Sequence, residues 1–165
     1  PLISSEAFIA LCGEHLTQRD RDAAVALVRG EGSGSNHPFV RAWTDSETRL
    51  RNAVARTRAA RSGADAEPFL REECGFEADV EPTVAEAFAA DTPLERERRL
   101  DRFRWQRVEE LQGYDPFSTN AVLAYAVKLA LAERWAKMDE DEGNRRAEAV
   151  IGRDPGEPDA PPGRE

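Results

Sequence analysis

The chain has 165 residues and a formal net charge of −9 at neutral pH, and hydrophobic residues make up 40% of it. That length suits one domain with a substantial core, or two small helical subdomains that share a long helix. The acidic balance argues against a general binder of phosphate backbones or anionic membranes. Helix-favouring Ala, Glu, Arg and Leu dominate the sequence, and runs of β-branched residues with strand length are missing, so we expect an all-α protein.

The cysteines and the amino terminus carry little functional signal. Cys12 and Cys74 have no CxxC partner, and the histidines lie in unrelated contexts, so we expect two buried free thiols and no zinc site. The first residue is Pro1 rather than Met, and no apolar signal core follows it. We therefore expect a fragment or a processed chain.

The first two helices are predicted to form an antiparallel hairpin. Ser4 or Ser5 can cap a helix over residues 6–12 that ends at Gly13, and Thr17 can start a second helix that ends at Gly30. Residues 30–36, GEGSGSN, lack the preceding strand and the GK[ST] ending of a phosphate-binding loop. They predict a flexible linker instead.

Pro38 predicts a third helix that runs to about Arg61. Apolar residues recur along it at steps of three and four residues, and Glu47 interrupts them. Its other faces carry six arginines, Arg41, Arg49, Arg51, Arg56, Arg58 and Arg61. Nucleic-acid binding is one interpretation of this helix. We favour a basic face that meets an acidic surface, in this chain or in a partner.

Residues 64–90 are predicted to hold short helices over residues 68–73 and 82–90, with Phe69 and Phe76 filling the core from the connecting loops. Thr92, Pro93 and Glu95 then mark a strong helix start, and this helix is expected to end at Gly113. Its buried stripe is Leu100, Phe103, Val108 and Leu111. Its outer face is a mixed ionic surface that includes Arg98 and Arg102, a candidate docking face.

The stretch from Asp115 to Met138 has Lys128 as its one charged residue between positions 121 and 132, which is typical of a helix buried on several sides. Its apolar run of about a dozen residues is too short for a membrane span. We expect an irregular bundle of about six or seven helices around this central helix. One domain is predicted over residues 1–151, with a last helix over 139–151 and a disordered Pro- and Gly-rich tail over 152–165.

Catalytic motifs of every class that we considered are missing from the sequence. There is no GxSxG, HExxH or Glu-x-x-His spacing, and Cys12 with His15 lacks a third group to orient the pair. The prediction is therefore a protein that is not an enzyme and that has no cofactor.

The run DPFSTNAVLAYAVKLALAERWAKMDEDEGNRRAEAVI, with PLISSEAFIALC at the front, resembles an uncharacterised bacterial family encoded beside the subunits of V-type rotary ATPases. The residues that carry the resemblance are Asp115, Phe117, Ala124, Tyr125, Lys128, Leu129, Arg134, Trp135, Asp139, Glu142 and Gly143. By gene setting and helical build, that family is similar to the C/d-type component of these ATPases, which couples the rotor stalk to the membrane ring.

The resemblance implies a non-catalytic stalk-associated or assembly role, in proton or sodium transport, through contacts with other protein subunits. It implies a cytoplasmic protein held near the membrane by its complex, with no nucleotide site of its own. From the acidic charge and the short apolar run, we expect neither a nucleic-acid partner nor membrane insertion. The signature residues are expected to pack in or beside the core. Candidate partner contacts are the charged residues Arg41, Arg49, Arg51, Arg56, Arg58, Arg98 and Arg102. The alternative is a small helical enzyme or ligand-binding protein with a pocket near Lys128, Glu133 and Arg134.

Overall fold

The computed structural model describes residues 3–32 and 34–138, and these form six α-helices without any β-strand. The all-α class predicted from the sequence is thus confirmed. The helices are α1 (Ser5–His15), α2 (Gln18–Arg29), α3 (Pro38–Ser62), α4 (Val80–Phe88), α5 (Pro93–Gln112) and α6 (Thr119–Lys137). A short 3-10 helix, Glu67–Phe69, lies between α3 and α4. The predicted last helix and tail lie outside the described residues.

The helix starts follow from their capping residues. Ser4, Thr17 and Thr92 each accept a hydrogen bond from a backbone N–H in the first turn of α1, α2 and α5, which satisfies one of the amides that a helix start leaves open. His37 does the same for α3, because its Nδ1 accepts from the N–H of Phe39 at 3.2 Å. Gly30 ends α2 in the left-handed conformation, where a side chain would be strained.

Four predicted boundaries were wrong. α1 continues through Gly13 to His15, because a glycine inside a helix weakens it by only about 1 kcal/mol when the apolar face continues to pack. The helix predicted over residues 68–73 is reduced to the 3-10 turn at 67–69, and the one predicted over 82–90 covers 80–88. α6 begins at Thr119 rather than at Asp115, because the residues before it form a turn held by the Asp115 side chain.

Thirteen buried residues form the first core cluster, which joins α1, α2, the start of α3, the end of α5, and α6. α6 supplies five of them, Leu123, Ala124, Ala126, Val127 and Leu129. The rings of Phe8 and Tyr125 meet with centroids 5.3 Å apart, so α1 and α6 touch directly. Small alanines on α2 and α6 let the helices approach closely around these larger side chains.

Eight buried residues form the second core cluster, in which α4 packs against the later part of α3 and the first half of α5. Val84, Ala87 and Phe88 face inward from α4, and Leu50, Leu100 and Phe103 meet them. α3 and α5 therefore contribute to both clusters. Arg61 and Arg96 lie over the Phe88 ring with guanidinium carbons 5.1 and 4.5 Å from its centroid, which seals this smaller core with cation–π contacts.

Residues Pro1–Ala132 form one compact unit, which contains both clusters, and Glu133–Glu165 form another. The second unit contains the last residues of α6, of which Trp135 is half-buried. No helix in the described ranges, 3–32 and 34–138, combines the length and the apolar character that a membrane crossing needs.

Candidate interaction surface

An acidic segment lies along the basic helix α3. We call residues 70–79 the acidic strap, since they carry four carboxylates and one arginine. Arg49 of α3 pairs with Glu77 at 2.5 Å, and its guanidinium also donates to the Cys74 carbonyl. Arg56 pairs with Glu73 at 3.5 Å and with Glu81 of α4 at 2.9 Å. The acidic surface expected to meet the basic helix is therefore found, at these positions, within this chain.

Two buried polar residues of α3 fix the path of the strap. Asn52 accepts from the N–H of Arg71 and donates to the Arg71 carbonyl at 2.8 Å and to Glu73 at 2.8 Å. Ser46 donates to Glu77 at 3.2 Å. Because buried amides and hydroxyls must find partners, these contacts set which strap residues lie beside which turn of α3.

The strap reaches α5 through Arg107. Its guanidinium contacts Asp79 at 2.5 Å, Glu110 at 2.5 Å and Glu77 at 3.6 Å. Burial opposes the charged form of this side chain, but the three carboxylates outweigh burial, and the pKa of Arg107 is raised. The positive charge of Arg107 is thus neutralised within the chain, while the Asp79 and Glu110 side chains remain more than half exposed.

A second ion-pair group joins α3 to α5 at their crossing. Arg104 donates to Glu47 at 2.6 Å and to Asp101 at 2.8 Å, and Arg51 pairs with Glu47 at 3.2 Å. Burial of Arg104 disfavours its charge, but Glu47 and Asp101 outweigh that effect and raise the pKa of Arg104. Glu47, which interrupts the apolar stripe of α3 in the sequence, is therefore the partner of a nearly buried arginine on α5.

The seven arginines predicted as partner contacts fall into different environments. Arg49 is largely buried, and Arg56 and Arg51 pair with carboxylates of this chain. Arg98 is exposed and interacts with another group of the chain. The remaining three, Arg41, Arg58 and Arg102, are exposed without an ion pair to the described part of the chain. The seven arginines therefore do not form a single basic surface, because Arg49 and Arg56 pair with carboxylates of the strap and of α4.

The loop between α5 and α6 has a fixed conformation and displays two aromatic rings. Asp115 Oδ1 accepts from the N–H of Phe117 at 2.9 Å, and its carbonyl accepts from the Ser118 hydroxyl at 2.8 Å. Pro116 follows Asp115 and restricts it further. Tyr114 is fully exposed and Phe117 is 96% exposed. We call residues 113–118 the aromatic loop.

Two further phenylalanines lie outside the core, contrary to the sequence prediction. Phe69 is 71% exposed on the 3-10 helix, and Phe76 is 86% exposed on the acidic strap. The prediction failed because the strap is held by polar contacts to Asn52, Ser46 and Arg49, so its aromatic side chains are not needed for docking. The sequence signal for these contacts is the presence of four carboxylates in residues 72–79, in a chain whose preceding helix is rich in arginine.

The signature residues divide between core and surface. Leu129 and Ala124 are buried, as expected, and Tyr125 packs on Phe8 while keeping 39% exposure. The Lys128 ammonium lies 5.1 Å from the Trp105 ring centroid and within 3.4 Å of Glu109, so its stem is covered and its charge is at the edge. Arg134 and Trp135 belong to the second unit. Gly143, Asp139 and Glu142 lie outside the described residues.

Asp115 and Phe117 depart from the expected packing role of the signature. Asp115 is exposed and braces the aromatic loop, and Phe117 projects from it. Sequence reasoning placed both at the start of an apolar helix and so missed the exposed pair formed by Tyr114 and Phe117. The available signal was the Asp-Pro dipeptide after a helix-ending glycine, which marks a turn rather than a helix start.

The thiols and imidazoles do not form a chemical site in the described residues. Cys12 is buried, and burial raises the pKa of its thiol, which opposes formation of a nucleophilic thiolate. His15 is exposed and lies 3.9 Å from Glu14. Cys74, which was expected to be buried, is exposed on the strap. Within residues 3–32 and 34–138, no three His, Cys, Asp or Glu side chains are grouped to hold a metal ion.

Within residues 3–32 and 34–138, the fold is all-α, and the four most exposed aromatic side chains lie between the α-helices: Phe69, Phe76, Tyr114 and Phe117. Residues 76–153 are similar to the model of a family described as a protein of unknown function, DUF2764. That span runs from the strap through α4, α5 and α6. No curated protein and no solved structure gives a significant match.

Proposed function

We propose that the protein is a non-catalytic helical subunit or assembly factor of a V-type rotary ATPase, and that it binds its partner protein through the aromatic loop. The observation that carries the docking role is the exposure of Tyr114 and Phe117 on a loop braced by Asp115. The resemblance of residues 115–151 to a family encoded beside V-type ATPase subunits supports the choice of partner. The aromatic loop contains two of the signature residues.

Exposure of the Tyr114 and Phe117 rings to water costs free energy, which is recovered when a partner protein covers them. Each ring presents a large apolar area to water, and burial of such a side chain contributes about 1.5–3 kcal/mol. Aromatic side chains are enriched among the residues that dominate binding energies. Because the hydrogen bonds of Asp115 already order the loop, a partner loses little free energy in fixing it.

A pull-down from the native host tests this function. The tagged full-length protein is expressed at native level, crosslinked and purified, and its partners are identified by mass spectrometry. We expect rotary-ATPase subunits with the wild type, and their loss with the double variant Tyr114→Ser/Phe117→Ser. Phe69→Ser, which removes a ring that is 71% exposed elsewhere on the chain, is the matched control and should retain them.

Two results contradict the proposal. If the wild type brings down no rotary-ATPase subunit, the association itself is wrong. If the double variant and the control retain the same subunits in the same amounts, the aromatic loop is not the docking element.

A further inference from the structure

We propose that the segment bound by the aromatic loop is a cationic amphipathic helix of the partner protein. This inference rests on the function proposed above, since it names the chemistry of the partner at the same surface. It depends on three features of the described residues: the two exposed rings, the carboxylates near them in the chain, and the end of α5 that precedes them.

Carboxylates outnumber cations along the end of α5 and the aromatic loop, where Glu109, Glu110, Asp79 and Asp115 stand against Arg107 and Lys128. Glu110 lies one turn before Tyr114 and is 62% exposed, and Asp115 stands between the two rings. Asp79 of the strap pairs with Arg107. Arg107 lies six residues before Gly113, which corresponds to about 9 Å of helical rise. Arg107 is 18% exposed and shared by three carboxylates, so it cannot offset all of their charge.

The end of α5 adds to this negative potential. The helix stops at Gln112, with Gly113 in a positive-φ conformation as its cap. The last carbonyls of a helix carry about half a negative charge in sum. Asn120 donates to the Leu111 carbonyl at 3.4 Å, which is a long contact. A ligand with ammonium or guanidinium groups is therefore favoured over a neutral or anionic one.

The arrangement of apolar and charged groups selects a helix as the ligand. A helix with leucines at i, i+3, i+4 and i+7 carries an apolar stripe, which the exposed rings of Tyr114 and Phe117 can contact. Carboxylates beside that contact then face the flanking positions of the same helix, where lysines reach them. The contact area is below that of standard protein interfaces, so we expect an isolated helix to bind with a dissociation constant in the micromolar range.

Fluorescence anisotropy with two designed peptides tests the inference on the full-length protein. One labelled 18-residue peptide carries leucine at the apolar stripe and lysine elsewhere, and the other carries glutamate in place of lysine. We expect the lysine peptide to bind at least tenfold more tightly than the glutamate peptide. Raising the salt concentration from about 50 to 250 mM should weaken the lysine peptide several-fold, because the attraction is screened.

Matched variants separate this surface from general attraction to an acidic protein. Phe117→Ser should weaken the lysine peptide about tenfold, and Glu110→Lys at least threefold. The controls are Phe69→Ser and Glu86→Lys, which make the same changes at other exposed positions. Glu86 pairs with Arg99 of α5. Arg99 lies 13 residues before the end of that helix, which is about 20 Å of helical rise away from the aromatic loop. Both controls should remain within twofold of the wild type.

Three outcomes would overturn the inference. One is equal loss of binding in the variants and their controls, and another is equal binding of both peptides. The third is Phe117-dependent binding to phosphatidylcholine vesicles without binding to the lysine peptide, which would make the loop a membrane contact. None of these results changes the outcome of the pull-down. A rotary-ATPase association that depends on the aromatic loop would therefore still be possible, but the loop would bind a ligand of different chemistry.

Discussion

The two core clusters are built from different interactions, although α3 and α5 pass through both. The first cluster holds thirteen buried apolar side chains drawn from five helices. The second holds eight and is bordered by the buried polar residues Ser46, Asn52 and Asp101 and by the paired guanidinium groups of Arg49, Arg104 and Arg107. The smaller core is therefore enclosed by ion pairs, cation–π contacts and the acidic strap.

This difference shows how a chain with 33% charged residues can still bury a long helix. Where enough apolar side chains converge, as around Leu123, hydrophobic burial alone is sufficient. Where they do not, each charged residue that approaches the core must meet an opposite charge or a hydrogen-bond partner. The two clusters should consequently respond differently to mutation, salt and pH.

The largest expected effect is a truncation in the first cluster. Leu123 is fully buried on α6, and Leu123→Ala should lower the free energy of unfolding by about 3 kcal/mol, since it loses transfer energy and leaves a cavity. Urea denaturation at neutral pH measures the change. Leu11→Ala, at a position 47% exposed on α1, is the control. A loss in Leu123→Ala as small as in the control would contradict the assignment of α6 to this core.

Next in size is the removal of Arg104 from the border of the second cluster. Arg104→Ala should cost about 2 kcal/mol, because it leaves Glu47 and Asp101 close together without their shared cation. Arg58→Ala, at an exposed position on α3, should change stability by less than about 0.5 kcal/mol. Equal effects of the two variants in urea denaturation would show that the ion-pair group does not stabilise the fold.

The pH dependence of the Arg104 effect has a definite sign. The folded-state pKa of Arg104 is raised, so its contribution to stability is fully present below the unfolded-state pKa of an arginine, far above neutral pH, and is lost only as the pH rises beyond it. The difference between wild type and Arg104→Ala should therefore not arise from titration of the guanidinium between pH 6 and 9. A midpoint in that range would indicate that another group controls the pair.

A smaller effect is expected where Asn52 holds the strap. Asn52→Ala removes its three hydrogen bonds to the strap, but water can reach the exposed strap, so the cost should be about 1 kcal/mol. The clearer readout is limited proteolysis, which should cut within residues 70–79 much faster than in the wild type. Unchanged protection would show that Arg49 and Arg56 alone suffice to hold the segment.

The smallest effect concerns the two thiols, one in each environment. Cys74 is exposed and should react at once with a thiol reagent, whereas Cys12 should react only as the first cluster opens. Because burial raises the folded-state pKa of Cys12, the unfolded state loses its proton first, and stability falls as pH rises past about 8.5. Cys12→Ala should flatten that fall, and an unchanged slope would assign it to other groups.

The apolar part of the fold could be predicted from the sequence. Caps at Ser4, Thr17 and Thr92, helix ends at Gly30 and Gly113, and the inward residues of α4 all follow from local rules. The strap could not be predicted, because its position depends on pairs separated by 17 to 31 residues, such as Arg56 with Glu73 and Ser46 with Glu77. Periodicity carries no information about such pairing, and the prediction that Phe69 and Phe76 fill the core from the loops was wrong.

The candidate site was the least predictable part. An arginine-rich helix suggests a free basic surface, yet Arg49 and Arg56 are bound by the strap. The exposure of Phe117 results from where α6 begins, and a shift of four residues in that boundary moves the ring from a helix face to a loop. Boundaries are the least certain product of sequence reasoning. Here one boundary decides whether the signature residue Phe117 packs inside or lies exposed.

The contact between Phe8 and Tyr125 has a consequence for how the chain folds during synthesis. These rings lie 5.3 Å apart but 117 positions apart in the sequence, so the first cluster closes only after α6 has left the ribosome. The second cluster needs residues 50–103 alone, and shorter loops close at a smaller entropic cost. We expect pulsed hydrogen exchange during refolding to protect α4 before α1. The reverse order would mean that the larger core forms first despite its span.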